Sequence, residues 1–301
     1  MNRFLKNILL FSCIVCLLFL AGEIVVRNLP SSYSYKDRWM RQNGDKVSTL
    51  ILGSSHTYYG VKPDVLGDST FNLANIYQTP EYDRALLDEY LPLMSNLKKI
   101  IISVSYFTFR EQHLEDVDPA LCVEYKVGMK LPLHSDFSKY NLCLYSFEDY
   151  IGRLRGLLVT QEWNICDSLG FGLGFDLNNR SIGWEEYGKK RAEGLTRKAS
   201  GRPEEVLQLL EQTVELCNRN GIECILVTTP VWKTFRENTD KEQYVEMQVL
   251  THRLVSKYGL KYLDLYDSEL FTDEDFHDPD HLSDVGAEKF TRILVEFLSM
   301  Q

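Results

Sequence analysis

The sequence predicts an α/β fold, a parallel sheet of about five strands with helices on both faces. Short apolar runs recur between residues 47 and 265, and stretches with apolar residues at helical spacing lie between several of them. Each run is almost entirely apolar, whereas a strand with one face in water would alternate polar and apolar residues. Strands that alternate with helices and are buried on both faces are typical of parallel sheets.

Composition and charge indicate a folded, acidic protein. The 301 residues are enough for one large domain or two small ones, and 44% hydrophobic with 25% charged residues is ordinary for a globular protein. The net charge is −10, but residues 1–46 carry +4 and residues 47–301 carry −14. Phosphate contacts need clustered Lys and Arg, so we expect no nucleic-acid partner for the acidic part. The basic segment beside an apolar N-terminus suits a membrane surface instead.

An apolar run near the N-terminus predicts a membrane anchor over residues 1–27. Arg3 and Lys6 precede an uncharged run at 8–22, and residues 24–26 extend it towards the ~20 residues that a spanning helix needs. No Ala-x-Ala cleavage site precedes the first charges, which favours an uncleaved anchor. A cleaved signal peptide and a buried core helix are the alternatives.

Two arguments about the side of the membrane point in opposite directions. More basic residues follow the apolar run than precede it, and this count alone would put the main domain in the cytoplasm. A span this close to the N-terminus, however, is typical of a signal anchor whose N-terminus stays inside. We therefore predict a single-pass protein whose main domain is extracytoplasmic.

The predicted elements follow a polar linker at 28–46, which contains Pro30. Strands are predicted from the apolar runs at 47–55, 70–74, 98–104, 222–227 and 261–265. Helices are predicted at 81–95, 203–218, 242–258 and 283–300. Pro203 suits a first helical turn, and Ser283 suits the N-cap of the last helix.

The segment at 110–201 interrupts this alternation. It is rich in Tyr, Phe, Gly and polar residues and has no GxxxxGK[ST] phosphate loop. We interpret it as an insertion into the main domain at 47–301 that lines or covers the site. The five cysteines of the main domain form no CxxC pair, so neither a zinc site nor a dense disulfide framework is expected, while one disulfide remains possible.

Two short segments contain the residue types that a serine nucleophile requires. The stretch "STLILGSSHTYYG" at 48–60 ends an apolar run in Ser55, and "FHDPDHLSD" at 276–284 holds Asp278 and His281 three residues apart. A serine hydroxyl needs a base, usually His, and a third group that orients the imidazole. We predict Ser55 as nucleophile, His281 as base and Asp278 as the orienting carboxylate, with Asp280 as an adjacent competitor for that last role.

These two segments resemble the first and last motif blocks of the SGNH (GDSL-like) hydrolase superfamily. Gly53-Ser54-Ser55 matches the Gly-Asp-Ser block, and Asp278-x-x-His281, followed by Leu-Ser-x-x-Gly-Ala, matches the Asp-x-x-His block. The resemblance covers roughly residues 47–300 without the insertion. It implies a flavodoxin-like, doubly wound sheet and acyl-ester chemistry, with no metal or organic cofactor. An anchored member with this start is also similar to envelope O-acyltransferases.

The sequence departs from the family at three positions. Ser54 replaces the Asp of the first block, Ala74 and Asn75 stand where the second block has its oxyanion glycine, and Ser105 stands in place of the oxyanion Asn of the third. We predict that Asn75 and Ser105 contact the oxyanion or substrate, and that His56 contacts substrate or a loop. A lost oxyanion donor can cost about 10²–10³ in rate.

The predicted function is a membrane-anchored serine esterase or O-acyltransferase that acts on acyl esters of cell-envelope carbohydrate. The expected partners are therefore an acylated carbohydrate or other acyl ester, and the membrane. The missing third-block Asn leaves open a catalytically degenerate subunit for polysaccharide binding or assembly. A thioesterase or lipase is a further alternative, and an apolar groove would favour it.

Overall fold

The computed structural model describes residues 3–67, 69–131, 151–152, 155, 166–196 and 201–300. The chain divides into two compact units, one of residues 1–37 with 118–164 and one of residues 38–117 with 165–301. Each is described by itself. Much of the predicted insertion at 110–201 lies outside the described residues, so its bounds and the other predicted domain bounds stay predictions.

The second unit is built on a sheet of five parallel strands. They are β1 Thr49–Leu52, β2 Thr70–Asn72, β3 Lys99–Ser103, β4 Glu223–Thr228 and β5 Lys261–Asp264. Their order is β2-β1-β3-β4-β5, and every neighbouring pair is parallel. This is the order of flavodoxin-like folds. The predicted fold class is therefore confirmed. Four strands lie inside their predicted ranges, and β4 ends one residue beyond its range.

The three central strands, β1, β3 and β4, are buried on both faces, which explains their consecutive apolar residues. Ile51 and Ile101 pack in one cluster with Phe290 of the last helix. Successive strand side chains point to opposite faces, and the alternate residues Leu50 and Ile100 are also fully buried. Helices thus cover the sheet on both sides, as the sequence predicts.

The helices are numbered in chain order. They are α1 Arg3–Arg27, α2 Ser32–Asn43, α3 Ser55–Tyr58, α4 Pro63–Leu66, α5 Pro80–Tyr90, α6 Leu114–Val117, α7 Pro119–Val123, α8 Gly188–Leu195, α9 Pro203–Arg219, α10 Lys233–Arg236, α11 Lys241–Tyr258 and α12 Asp284–Ser299. The predicted long helices correspond to α5, α9, α11 and α12. Ser283 caps α12, since its Oγ accepts a hydrogen bond from the Gly286 N–H at 3.1 Å.

An antiparallel hairpin precedes α12. Its strands are β6 Phe276–Asp278 and β7 His281–Leu282, and Asp278 pairs with His281 across it. The predicted Asp-x-x-His segment is therefore a tight hairpin. Its two ends are held side by side.

The predicted linker at 28–46 contains a helix, α2. Its second half belongs to the sheet unit, where the Trp39 ring stacks on Phe71 of β2 with centroids 3.8 Å apart. Met40 is fully buried. Trp39 and Met40 are adjacent in an otherwise polar stretch and do not recur at helical spacing, so the helix has little periodic signal in the sequence.

The N-terminal helix α1 is apolar and 25 residues long. Among the described residues it is the one helix long and apolar enough to cross a bilayer, and a signal sequence would meet the same criteria. Near its end, Arg27 Nε donates a hydrogen bond to Glu23 Oε1 at 2.7 Å. This ion pair offsets the charge of the acidic residue closest to the apolar run.

Candidate active site

The end of β1 is a strained turn that requires glycine. Gly53 has φ +110°, and a Cβ at this position would collide with the Ser103 hydroxyl. The Gly53 N–H donates to Asp83 Oδ1 at 2.9 Å, and the Ser54 N–H donates to Ser103 Oγ at 3.2 Å. These bonds hold the turn, and α3 begins at the next residue, Ser55.

Ser55, His281 and Asp278 form one hydrogen-bonded chain. Ser55 Oγ lies 2.8 Å from His281 Nε2, and His281 Nδ1 lies 2.9 and 3.0 Å from the two oxygens of Asp278. Asp278 Oδ1 also accepts the His281 backbone N–H at 2.9 Å, which fixes the hairpin around the carboxylate. With Nδ1–H donating to Asp278, Nε2 is the nitrogen that accepts the Ser55 proton.

Two carboxylates act on the His281 ring. Burial alone would lower the pKa of His281, but Asp278 and Asp280 outweigh burial and raise the pKa above its ordinary value. Asp278 is the closer partner, because Asp280 Oδ1 lies 3.6 Å from Nδ1. The imidazolium that forms when Nε2 takes a proton is therefore stabilised by its surroundings.

A second chain of the same three residue types lies beside the first. Ser105 Oγ is 2.7 Å from His56 Nδ1, and His56 Nε2 is 3.4 Å from Asp280 Oδ2. Asp280 Oδ1 in turn accepts from Arg191 Nε at 2.7 Å. The His56 and His281 rings are 5.1 Å apart at 79°. The two hydrogen-bonded chains of side chains are therefore in contact where the two histidine rings meet, and they are also linked by the peptide bond between Asp280 and His281.

The second chain is buried, and its one charged group, the Asp280 carboxylate, is paired with Arg191. Burial lowers the pKa of His56, and Asp280 offsets this only in part. Burial alone would raise the pKa of Asp280, but His281, His56 and Arg191 hold it well below its usual range. His56 is then a neutral ring that donates a hydrogen bond from Nε2–H to the Asp280 carboxylate and accepts one at Nδ1 from the Ser105 hydroxyl.

A cleft of about 700 Å³ opens on the hydrogen-bonded residues Ser55, His281 and Asp278, and not on Ser105 and His56. Ser55, Asp278 and His281 line it, together with a mainly apolar and aromatic wall. That wall includes Tyr59, Ile76, Tyr77, Phe107, Leu114, Val117, Phe175, Tyr187 and Leu195. Ser105 and His56 are absent from the lining and are 2% and 4% exposed. Ser55, rather than Ser105, is thus the serine that a substrate can reach.

Stacked rings support His281 from the cleft side. Tyr59 stacks on Phe175 with centroids 3.7 Å apart, and Phe175 stacks on His277 at 4.2 Å. The Phe175 ring meets the His281 ring at 5.2 Å and 82°, an edge-to-face contact. Phe175 lies within the range of the predicted insertion, 110–201, and lines the cleft.

The predicted site residues fall into two groups. Ser55, Asp278 and His281 meet in the cleft, whereas His56 and Ser105 bond to each other beneath it. Asn75 is 1% exposed, and its backbone N–H donates to the Gly53 carbonyl at 3.3 Å. The roles predicted for Asn75 and Ser105 at an oxyanion stay predictions.

Sequence reasoning did not identify two residues of the site, Arg191 and Asp83. Arg191 ends the Lys189-Lys190-Arg191 run of α8, and nothing in that run indicates a buried carboxylate partner. Asp83 sits in α5, where its Oδ1 accepts from both Gly53 N and Gln78 Nε2, the latter at 2.6 Å. A polar residue on the apolar face of a predicted helix was the available signal.

Two clusters among the described residues have metal-ligand side chains. His56, Asp280 and His281 form one, and Glu81, His113 and Glu205 form the other. In the first, Arg191 already supplies a positive charge to Asp280; in the second, Arg202 bonds to Glu81 and Glu205 at 2.8 and 2.7 Å. Guanidinium groups occupy the position of a cation in both, so neither cluster is assigned to a metal.

The sequence matches no family model and no curated protein. Among solved structures, a GDSL-like lipase from Bacteroides thetaiotaomicron is 11% identical with a TM-score of 0.42, over 90% of this chain and 100% of that one. A lipase/acylhydrolase from Enterococcus faecalis is 11% identical with a TM-score of 0.42, over 84% and 96%. An acetyl xylan esterase is 8% identical with a TM-score of 0.41, over 84% and 98%.

These matches are of the kind to which the sequence resemblance points. At such identities and TM-scores they carry no weight for the activity of this chain. Its function is inferred below from the residues and distances of its own site.

Proposed function

We propose that this protein is a serine ester hydrolase or O-acyltransferase of the SGNH type, with Ser55 as nucleophile, His281 as base and Asp278 as its orienting carboxylate. The observation that carries the proposal is the 2.8 Å approach of Ser55 Oγ to His281 Nε2 inside an open cleft. A hydroxyl, an imidazole and a carboxylate in this order are the parts that activate a serine.

In the first half-reaction, Ser55 Oγ attacks the acyl carbonyl carbon as its proton passes to His281 Nε2. The carbonyl electron pair moves onto oxygen and forms a tetrahedral oxyanion. When that pair returns, the bond to the alcohol oxygen breaks, and this oxygen takes the proton from Nε2. The acyl group is left on Ser55, and Asp278 stabilises the imidazolium while it exists.

The second half-reaction regenerates the enzyme. Water or a carbohydrate hydroxyl gives its proton to His281 Nε2 and attacks the acyl-Ser55 carbonyl. Collapse of the new oxyanion breaks the bond to Ser55 Oγ, which recovers the proton. Water as acceptor gives hydrolysis, and a carbohydrate hydroxyl gives acyl transfer.

We propose the Ser55 backbone N–H as an oxyanion donor, and the Asn75 side-chain amide, which is 1% exposed and outside the cleft lining, as the second donor that the sequence predicts. The N–H groups of Gly53 and Ser54 already donate to Asp83 and Ser103. Ser55 begins α3, and the first N–H groups of a helix have no partner within it. The Ser105 hydroxyl, in contrast, is engaged with His56 at 2.7 Å.

The proposed setting is the cell envelope, with α1 as an uncleaved anchor and the main domain extracytoplasmic. The length and apolar composition of α1 support the anchor. Alkaline extraction of membranes tests it, since an anchored chain stays in the pellet. A single cysteine introduced at exposed Ser299 and probed with an impermeant maleimide in intact cells tests the side.

Turnover tests the function. The full chain in neutral detergent is given an acetylated oligosaccharide as donor and an isotope-labelled, unacetylated one as acceptor. Free acetate reports hydrolysis, and labelled ester reports transfer. The Ser55→Ala variant should lose both, while Ser299→Ala, a change on the exposed last turn of α12, should lose neither.

A second candidate is an esterase for longer acyl chains, because apolar and aromatic side chains dominate the cleft lining. A series of aryl esters from two to twelve carbons separates the two candidates. Rates that rise with chain length favour this second candidate, and rates that fall beyond short acyl groups favour the first.

A further inference from the structure

One wall of the cleft carries two cations in a domain that is otherwise acidic. Residues 47–301 have a net charge of −14, yet α8 presents Lys190 and Arg191 to the cleft. The lining contains two acidic residues, Glu111 and Asp278, and Asp278 is hydrogen-bonded to His281. Lys189, next in the chain, is exposed but does not line the cleft.

Arg191 is held in place by a single strong contact. Its Nε donates to Asp280 Oδ1 at 2.7 Å, and Asp280 is fully buried. Burial alone would lower the pKa of the Arg191 guanidinium, but Asp280 outweighs burial and raises it. Within the described residues no other hydrogen bond of Arg191 is seen, and 35% of its side chain is exposed. Its terminal N–H groups are therefore preorganised donors at the cleft wall.

The loop after β2 contributes two unusual residues to the same cleft. Tyr77 has φ +53°, a conformation that non-glycine residues rarely adopt, and the residue is 51% exposed. Thr79 is 4% exposed, and its Oγ1 has no hydrogen-bond partner in the described part of the chain. Thr79 is the N-cap residue of α5, but its hydroxyl does not cap the helix. A buried hydroxyl left without a protein partner is expected to bind something else.

We propose that Lys190, Arg191, Tyr77 and Thr79 form a subsite beside Ser55 for an anionic group, a carboxylate or a phosphate, carried by the ester substrate. The guanidinium N–H groups bind two oxygens of the anion, and Lys190 supplies the net positive charge that the Arg191–Asp280 pair does not. Tyr77 packs on the ring or carbon chain that links anion and ester. Thr79 donates to an adjacent oxygen.

The substrate class that follows is an acyl ester of an anionic carbohydrate or polyol. This inference deepens the proposed function, on which it rests for the identity of the ester site. A uronic acid carboxylate and a polyol phosphate share the required chemistry, and paired ligands distinguish them.

Binding to the Ser55→Ala full chain tests the subsite without turnover. Calorimetric titrations in neutral detergent at pH 7 compare two pairs of acetyl esters. One pair is methyl glucuronoside acetate against methyl glucoside acetate, and the other is acetylglycerol phosphate against monoacetylglycerol. We expect the anionic member of at least one pair to bind about tenfold more tightly, because its charge allows charge-assisted hydrogen bonds to the Arg191 guanidinium. The preference should shrink between about 0.05 and about 0.5 M salt.

Variants of α8 test whether its two cleft-lining cations cause the preference for the anionic ligand. Lys190→Gln and Arg191→Gln should each bring the two members of the preferred pair to within about threefold, and Arg191→Lys should restore part of the difference. Lys189→Gln is the matched control, because it removes the same charge outside the cleft, and it should keep the preference.

Equal binding of both members of each pair, no binding of any of the four, or an equal loss in Lys189→Gln would overturn the subsite. Failure of the ester chemistry is read separately, as the absence of turnover by the wild-type chain. An anion preference without turnover would keep the subsite and remove the proposed function.

Discussion

Ser55 and His56 are consecutive residues whose side chains bond to a second consecutive pair. The Ser55 hydroxyl meets His281, and the His56 ring meets Asp280, at 2.8 and 3.4 Å. The two contacts cross-link the end of β1 to the hairpin before α12. A change at Asp280 or His56 therefore acts on the position of His281, even though neither residue lines the cleft.

The Asp280→Asn substitution is expected to destabilise the fold by about 1.5–3 kcal/mol, because it removes the charged acceptor of the hydrogen bonds from Arg191 and His56. Urea unfolding of the full chain in neutral detergent measures this. Glu288→Gln is the control, since it removes the carboxylate of an exposed ion pair with Arg292 and should cost no more than about 1 kcal/mol. Equal effects of the two substitutions would contradict the assigned role of Asp280.

Activity is expected to rise with pH through a His281 pKa above 6.5. The base must be neutral to accept the Ser55 proton, and the two carboxylates raise its pKa, so the rate is low below that pKa and reaches a plateau above it. Asp278→Asn removes the larger of the two carboxylate effects and should move the inflection to lower pH. It should also reduce kcat by a factor on the order of 10⁴ through loss of the imidazole orientation. For an aryl acetate, the pH profile of kcat/KM measures the inflection and rates at saturating substrate measure kcat; an unshifted inflection would argue against Asp278 as the partner.

The Gly53→Ala substitution tests the strained turn. A Cβ there meets the Ser103 hydroxyl, and φ +110° is unfavourable for any L side chain. We expect a loss of about 2–4 kcal/mol and little activity in the folded fraction, because Ser55 would be displaced. Gly67→Ala is the matched control: Gly67 also has positive φ, at +130°, but a Cβ there meets nothing within 4 Å. Both variants share the conformational cost, and only Gly53→Ala should remove activity.

Asp83 makes the stability depend on pH. Burial raises the pKa of Asp83 to about 7, well above the ordinary value of 3.8. Between these values the folded state holds a proton that the unfolded state has released. The stability is therefore greatest below pH 3.8 as far as this group is concerned, and it falls as pH rises to about 7.

Asp83→Asn should abolish that loss, since Asn Oδ1 can still accept from Gly53 and Gln78. The stability gained over wild type should grow between pH 4 and pH 7 and approach about 4 kcal/mol, at about 1.4 kcal/mol per pKa unit. Urea unfolding at pH 5 and pH 8 measures the gain. The same gain at both pH values would show that Asp83 does not titrate in this window.

The sheet could be predicted from the sequence because its strands are buried on both faces. In the run at 98–104, three consecutive isoleucines at 100–102 leave neither face of the strand polar, and strands of this kind that alternate with helices predict a parallel sheet. The helix α2 could not be predicted so easily. Its contacts come from a few aromatic and apolar side chains, such as Trp39, in a polar segment.

The part of the site that lies in two short sequence segments, 48–60 and 276–284, could be predicted from the sequence. Ser55, Asp278 and His281 come within hydrogen-bonding distance as expected, while their catalytic role stays a prediction. The contact between His56 and Ser105 was available in principle, because β1 and β3 are neighbours and their carboxyl ends meet at one edge. Arg191 was not, since it reaches Asp280 from a segment without a regular pattern.

Labelling with a fluorophosphonate probe tests the central claim, that His281 activates Ser55 in an accessible cleft. The full chain in neutral detergent is compared with Ser55→Ala, His281→Gln and Ser105→Ala, and the adduct is located by peptide mass spectrometry. We predict one adduct on Ser55 in the wild type and in Ser105→Ala, and none in the other two variants. A folded wild-type protein that stays unlabelled, or an adduct on Ser105 or another serine, would contradict it.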